Sequence, residues 1–235
     1  FFYFAFLQQL PLGVTFREDA VFEDYLPGDN AQTLGALRHA LARLDETLIY
    51  LWGASGSGLT HLLQACVHDL QSQGLESLYL PLADCVQYGP DALEGLDEMA
   101  VLALDDIDRI AGLPDWEEAL FHLFNRMRDS GRVLLVTSHT SPLHPTVALP
   151  DLASRLSWGL TFHIQPLTDE QKTDWLIWKA RRRGLTMEPD VAAFLINRTA
   201  RSMTALVDAF ERLDHGSLAQ QRRLTIPFVK SELGL

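Results

Sequence analysis

The chain has 235 residues, 47% of them hydrophobic and 21% charged, which is enough to bury a sizeable core in one or two globular domains. Nineteen Lys and Arg against thirty-one Asp and Glu give a formal net charge of −12, which excludes nucleic-acid binding by overall charge and leaves only a local basic patch. No apolar run reaches the roughly 18 residues of a membrane span, and Cys66 and Cys85 form no CxxC pair, so two reduced, buried thiols in a cytoplasmic protein without a membrane partner are expected.

Residues 1–20 read as a tail. They carry neither an initiator Met nor a basic n-region, so no signal peptide is expected. Within them, Gln9-Leu10-Pro11-Leu12 is a Gln followed by spaced aliphatics. Such an extended segment suits a hydrophobic groove, or the edge of a neighbour's sheet in a homodimer. Phe22 and Tyr25 precede the turn Pro27-Gly28-Asp29-Asn30. Asp29 and Gln32 are spaced as a capping box for a helix reaching about residue 44, with Leu34, Leu37, Leu41 and Leu44 on its core face.

Residues 47–52 are a first strand, and they run into the segment around which the chain is organised. Gly53-Ala54-Ser55-Gly56-Ser57-Gly58-Leu59-Thr60 joins that strand to an apolar-periodic helix reaching about residue 71. The loop's backbone N–H groups can converge on a phosphate, and the helix N-terminus adds positive potential. The spacing matches the phosphate-loop pattern except at Leu59, where the pattern requires Lys. Two readings stay open. Either backbone amides bind a nucleotide while Thr60 holds Mg²⁺, with weakened β/γ-phosphate contacts, or the segment is a glycine turn without a ligand.

Residues 77–82 read as the second strand, and 86–98 as a polar, glycine-punctuated stretch with one short helix. The third strand, 99–104, ends in Asp105-Asp106-Ile107-Asp108, forty-five residues after Thr60. Carboxylates at the C-terminal end of a buried parallel strand face the ligand side of the sheet. There the first can support Mg²⁺ and the second can polarise water. A helix over 116–128 and a fourth strand over 132–136 follow, ending in Thr137-Ser138-His139, where a γ-phosphate sensor would sit. The fifth strand is 160–164. Beyond it the strand signal stops. Thr168 and Gln171 cap a helix running to Arg181-Arg182-Arg183, and 189–199, 203–213 and 226–233 suggest three more helices. The order implies an α/β fold: a three-layer phosphate-loop domain with a five-stranded parallel sheet over 21–166, and a helical lid over 167–235.

Five segments carry a specific resemblance: Tyr25-x-x-Gly28-Asp29-Asn30; Thr60-His61-Leu62-Leu63; Asp105-Asp106-Ile107; Ser154-Arg155-Leu156 with Trp158-Gly159-Leu160-Thr161; and Leu224-Thr225-Ile226-Pro227-Phe228-Val229-Lys230. Through them the chain resembles the AAA+ module of the bacterial replication initiator DnaA, and most closely the stand-alone Hda relatives that inactivate it. The resemblance implies nucleotide contacts at Tyr25, at Gly53 to His61 and at Ser138 or Thr137 as first sensor, with Arg201 as second sensor. It implies Mg²⁺ at Thr60 and Asp105, and places Asp106 where many AAA+ enzymes carry the catalytic Glu. It makes Arg155 an arginine finger acting on nucleotide held by a neighbouring subunit. The Gln9, Leu10 and Leu12 tail is similar to the short peptides that dock on the DNA polymerase sliding clamp, although the Pro11 spacing departs from the usual form.

The expectation is therefore a negative regulator of replication initiation. It binds ADP or another nucleoside diphosphate with Mg²⁺, docks on the clamp, and triggers ATP hydrolysis by DnaA through Arg155. Contact with DNA is then only indirect, because the chain stops at Leu235 without a DNA-reading domain. With Leu59 and Asp106 in place, no autonomous activity is expected. An autonomous ATPase resembling a helicase loader, and an adaptor bridging clamp and initiator, are the alternatives.

Overall fold

Five apolar runs form the strands β1 (Leu48–Trp52), β2 (Ser77–Pro81), β3 (Val101–Asp105), β4 (Val133–Ser138) and β5 (Leu160–His163). The structure is a computed structural model, and it describes residues 20–199, 202–220 and 223–235. The strands form one sheet in the order β2-β3-β4-β1-β5, every pair parallel. β3 and β4 are buried along their whole length. Helices cover both faces of such a sheet, so its central strands read as continuous apolar runs rather than as alternation.

Alternate residues of the strands feed two apolar clusters. Leu48 and Tyr50 pack with Trp116, Leu120 and Phe124 of α4 (Pro114–Asp129). Ile49 and Leu51 pack with Leu62, Leu63 and Cys66 of α2 (Leu59–Ser72) and with Leu34, Leu37 and Leu41 of α1 (Ala31–Arg43). Cys66 and Cys85 are both free and buried, as expected.

Several local expectations are corrected. Asp29 does not cap α1: it lies in a 3-10 turn, Gly28–Asn30, and its carboxylate accepts from Gln171 Nε2 at 3.0 Å. Residues 86–98 hold three 3-10 turns rather than one short helix, and Leu82, expected to end β2, instead opens a four-residue helix, α3 (Leu82–Cys85). β3 extends to include Asp105 and β4 runs on to Ser138. Residues 150–156, expected only to lead into β5, form the helix α5 (Pro150–Leu156). Pro150 opens it at a position where a missing N–H costs nothing.

The chain divides into two compact units. Of the described residues, one unit comprises 20–25, 32–53 and 59–164; the other comprises those of 26–31, 54–58 and 165–235. The second contains α6 (Asp169–Arg182), α7 (Pro189–Arg198), α8 (Met203–Gln220) and α9 (Ile226–Leu233). They close on Trp175, Leu176, Leu195, Leu206, Phe210 and Phe228, with the Trp175 and Phe210 rings meeting edge-on at 6.3 Å. α6 starts at the expected capping box: Thr168 Oγ1 accepts from the Gln171 amide, and Gln171 Oε1 accepts from the Thr168 amide. The Gly28-Asp29-Asn30 turn is fastened within the same unit. Asn30 and Gln165 exchange hydrogen bonds of 2.9 and 2.8 Å, and a Cβ on Gly28 would meet Leu167 at 2.6 Å.

Candidate functional site

The C-terminal ends of β3 and β4 gather the polar side chains of the first unit. Leu59, Thr60, Pro81, Ala83, Asp105, Asp106, Thr137, Ser138 and His139 line a cavity of about 180 Å³. Asp105 is buried, and both its oxygens are engaged: Tyr79 Oη donates to Oδ2 at 2.8 Å and Thr137 Oγ1 donates to Oδ1 at 2.6 Å. Burial, then the adjacent Asp105 charge, pushes the Tyr79 phenol far up, so it remains a donor. Thr137 Oγ1 also accepts from the Asp106 amide at 2.7 Å, tying β4 to the turn after β3.

Asp106 takes the left-handed conformation, with φ 60° and ψ 64°. Such backbone is uncommon for a residue with a side chain and clusters at functional sites. Its Oδ2 accepts from Arg109 Nε at 2.8 Å, whereas Oδ1 is buried with no hydrogen-bond partner. Ser138 donates to both Asp108 oxygens at 3.0 Å, and Asp108 also accepts from the His139 amide and from Thr146. Thr137 and Ser138, the two candidates for first sensor, are thus each held by an acidic partner. The sequence named Asp108 only as part of the acidic run, without a role, and did not single out Tyr79 or Arg109; the tyrosine had no motif to mark it.

The phosphate-loop residues separate by role. Gly56 and Gly58 adopt φ of 81° and 88°, a backbone that other residues rarely take. Ser55 is exposed and Ser57 is buried. A Cβ on Gly56 would lie 3.7 Å from the Met203 backbone nitrogen, so this loop lies beside the start of α8. Leu59, at the position where Lys was required, is buried and packs with the α1 and α2 cluster. Thr60 is exposed and lines the cavity. Gly53 is tied to the end of β4, its amide donating to the Ser138 carbonyl at 3.2 Å. Tyr25 packs its ring 5.7 Å from that of His61, and His61 Nε2 contacts the Val21 carbonyl at 3.2 Å.

Arg155 occupies the last turn of α5, and its guanidinium lies 4.1 Å from the centre of the Trp158 ring. Gln9, Leu10, Leu12 and Arg201 lie outside the described residues.

The sheet order and the helical second unit can be compared with known proteins. A family model of the bacterial DnaA ATPase domain matches residues 91–163, and one of the Hda lid domain matches residues 169–233. The chain is a DnaA- and Hda-like AAA+ protein. Domain III of the Thermotoga maritima replication initiation protein DnaA is similar with a TM-score of 0.74 and 21% identity, over 93% of this chain and 97% of that one. DnaA bound to AMPPCP and single-stranded DNA has a TM-score of 0.72 and 20% identity, over 88% and 70%. The Thermotoga maritima Holliday junction branch migration motor RuvB has a TM-score of 0.68 and 16% identity, over 93% and 72%. At these identities the solved structures speak for the AAA+ fold alone.

For such an AAA+ protein, a nucleotide and Mg²⁺ are implied, and the residues fit them in part. The orphaned Asp106 Oδ1 and the exposed Thr60 hydroxyl provide oxygen ligands of the kind that Mg²⁺ takes. Among the described residues no cluster of three His, Cys, Asp or Glu could hold a metal by itself. A cation here would depend on phosphate oxygens, as Mg²⁺ sites commonly do. No helix among the described residues is long and apolar enough to cross a membrane.

Proposed function

We propose that this AAA+ protein is a DnaA-related regulator of replication initiation, which presents Arg155 to ATP held by DnaA and so promotes its hydrolysis. One observation carries the reading. Among the described residues, the Arg155 side chain makes no hydrogen bond and no ion pair in a chain with thirty-one acidic residues; its close partner is the face of Trp158. A guanidinium is always charged and carries five N–H donors in a rigid fork. Half-buried and without an acidic partner, it is suited to charge developing on a transferring phosphoryl group, where an arginine in trans contributes about 10³–10⁵ in rate.

The chain's own nucleotide, ADP or another diphosphate with Mg²⁺, would be regulatory. With Leu59 turned into the core, no lysine is available at that position for the β/γ-phosphates. The tail through Gln9, Leu10 and Leu12 would dock on the sliding clamp and bring the protein to DNA. The test is hydrolysis of radiolabelled ATP on DnaA, with clamp-loaded DNA, for wild type and Arg155→Ala. Stimulation should fall about 10³-fold or more. Stimulation at the wild-type rate would leave the bridging adaptor as the better description.

Autonomous hydrolysis is the second reading, favoured by one feature: the buried Asp106 Oδ1 has no partner and lines the same cavity as Thr60. A carboxylate so placed can accept a proton from water. Turnover of ATP by the protein alone, abolished in Asp106→Asn, would establish it.

A further inference from the structure

Among the described residues, Trp158 is one of the few large apolar side chains left in solvent, with 61% of its surface exposed. It contributes nothing to either apolar cluster of its unit. An exposed indole needs another explanation, and its position supplies one. The Trp158 amide donates to the Arg155 carbonyl at 3.1 Å, while its ring lies under the Arg155 guanidinium. The two residues are thus fastened through both backbone and side chain.

That turn is itself anchored. A Cβ on Gly159 would come within 2.6 Å of the Leu48 carbonyl oxygen, so the backbone after Trp158 lies directly on β1. From Leu160 onward the chain pairs with β1, opposite Ile49. Only glycine permits that approach, and it fixes where the indole stands relative to the sheet.

We propose that Trp158 is a positioning residue for Arg155: its indole face holds the guanidinium in one orientation while leaving the hydrogen-bonding edge open to an anion. This rests on the reading of Arg155 as a finger acting on a partner's nucleotide. Stacking engages the π-face of the guanidinium, whereas phosphate oxygens are bound along its edge, so the two interactions do not compete. An ion pair would hold Arg155 equally well, but it would occupy those donors. A long side chain in free rotation would have to be ordered each time the partner engaged.

The test combines two measurements on the full chain. In side-chain NMR of the protein alone, the Arg155 Nε–H should resonate upfield under the indole ring current, and that shift should vanish in Trp158→Ala. In DnaA-dependent hydrolysis, Trp158→Ala should lower the saturated rate about two- to fivefold, as expected for an exposed cation–π contact. The protein concentration for half-maximal stimulation should stay unchanged. Trp158→Phe, which keeps an aromatic face, should recover most of the loss. In an Arg155→Ala background, Trp158→Ala should have no further effect.

Absence of the ring-current shift overturns the inference whatever the assay gives. So does an additive effect of Trp158→Ala in the Arg155→Ala background, which would make the indole a docking contact. If Arg155→Ala loses stimulation while Trp158→Ala keeps the wild-type rate, the positioning role fails and the finger stands. If Arg155→Ala stimulates like wild type, the finger reading fails and takes this inference with it.

Discussion

Tyr79 of β2 donates its phenolic hydrogen across to Oδ2 of Asp105 at the end of β3, over 2.8 Å. Thr137 of β4 occupies the other oxygen, so one buried carboxylate joins three neighbouring strands at the rim of the cavity. Tyr79→Phe leaves a buried acceptor with one donor fewer, which costs about 1–3 kcal/mol. For a chain of this size each kcal/mol lowers the melting midpoint by about 2–4 °C. Calorimetry on Tyr79→Phe should show a drop in that range, and an unchanged midpoint would mean that the bond contributes nothing net.

Glu117 is almost fully buried in α4 and accepts three backbone amides, from Gly112 at 2.7 Å, Ala148 at 2.9 Å and Leu149 at 2.6 Å. It thereby fixes the segment that leads into α5 and Arg155. Glu117→Ala should destabilise the fold by about 3 kcal/mol or more, since each bond to a charged group is worth about 1.5–3 kcal/mol. Glu117→Gln, which keeps a single acceptor oxygen, should fall between the two in a urea titration.

Leu59→Lys restores the phosphate-loop residue at a position that the core uses. Truncating a buried Leu costs about 2–5 kcal/mol, and Lys recovers part of this through its aliphatic stem. The variant should be less stable without ligand, yet should gain for a triphosphate over a diphosphate by about tenfold or more, the worth of a charged hydrogen bond. Calorimetric titration with both nucleotides measures that ratio. A destabilised variant with an unchanged ratio would place the lysine away from the phosphates.

Burial pushes the Tyr25 phenol from its ordinary 10 up to about 12. The folded chain therefore holds this proton more tightly than the unfolded chain. The associated stability is fully present below pH 10 and is lost as the pH rises from 10 through about 12. Stability should fall with pH across that window, and Tyr25→Phe should remove up to one proton's worth of the slope. Denaturant titrations at stepped pH test this.

Local chemistry written in consecutive residues was legible from the sequence. The apolar runs of β1 to β5, the glycine loop, the acidic end of β3 and the Thr168 cap each rest on neighbours in the chain, and each appears within about two residues of where periodicity and spacing placed it. The sheet's strand content also followed, because a strand covered on both faces must be apolar throughout. Asp29 shows the limit of such reasoning. Its spacing to Gln32 suits a capping box, but its carboxylate found Gln171, 142 residues away, and that partner has no local signature. The helix α5 was hidden for a related reason: seven residues opened by Pro150 are too few for a periodicity signal, and packing of Leu152 and Leu156 against the sheet decides them. Tertiary structure alone brought Tyr79 to Asp105, turned Leu59 into the core and left Asp106 Oδ1 without a partner. It also set Arg155 on the face of Trp158, three residues apart in sequence but joined only because Gly159 lets that turn lie on β1. Sequence spacing specifies which atoms a residue offers; the long-range pairing of strands and loops decides which of those offers is taken.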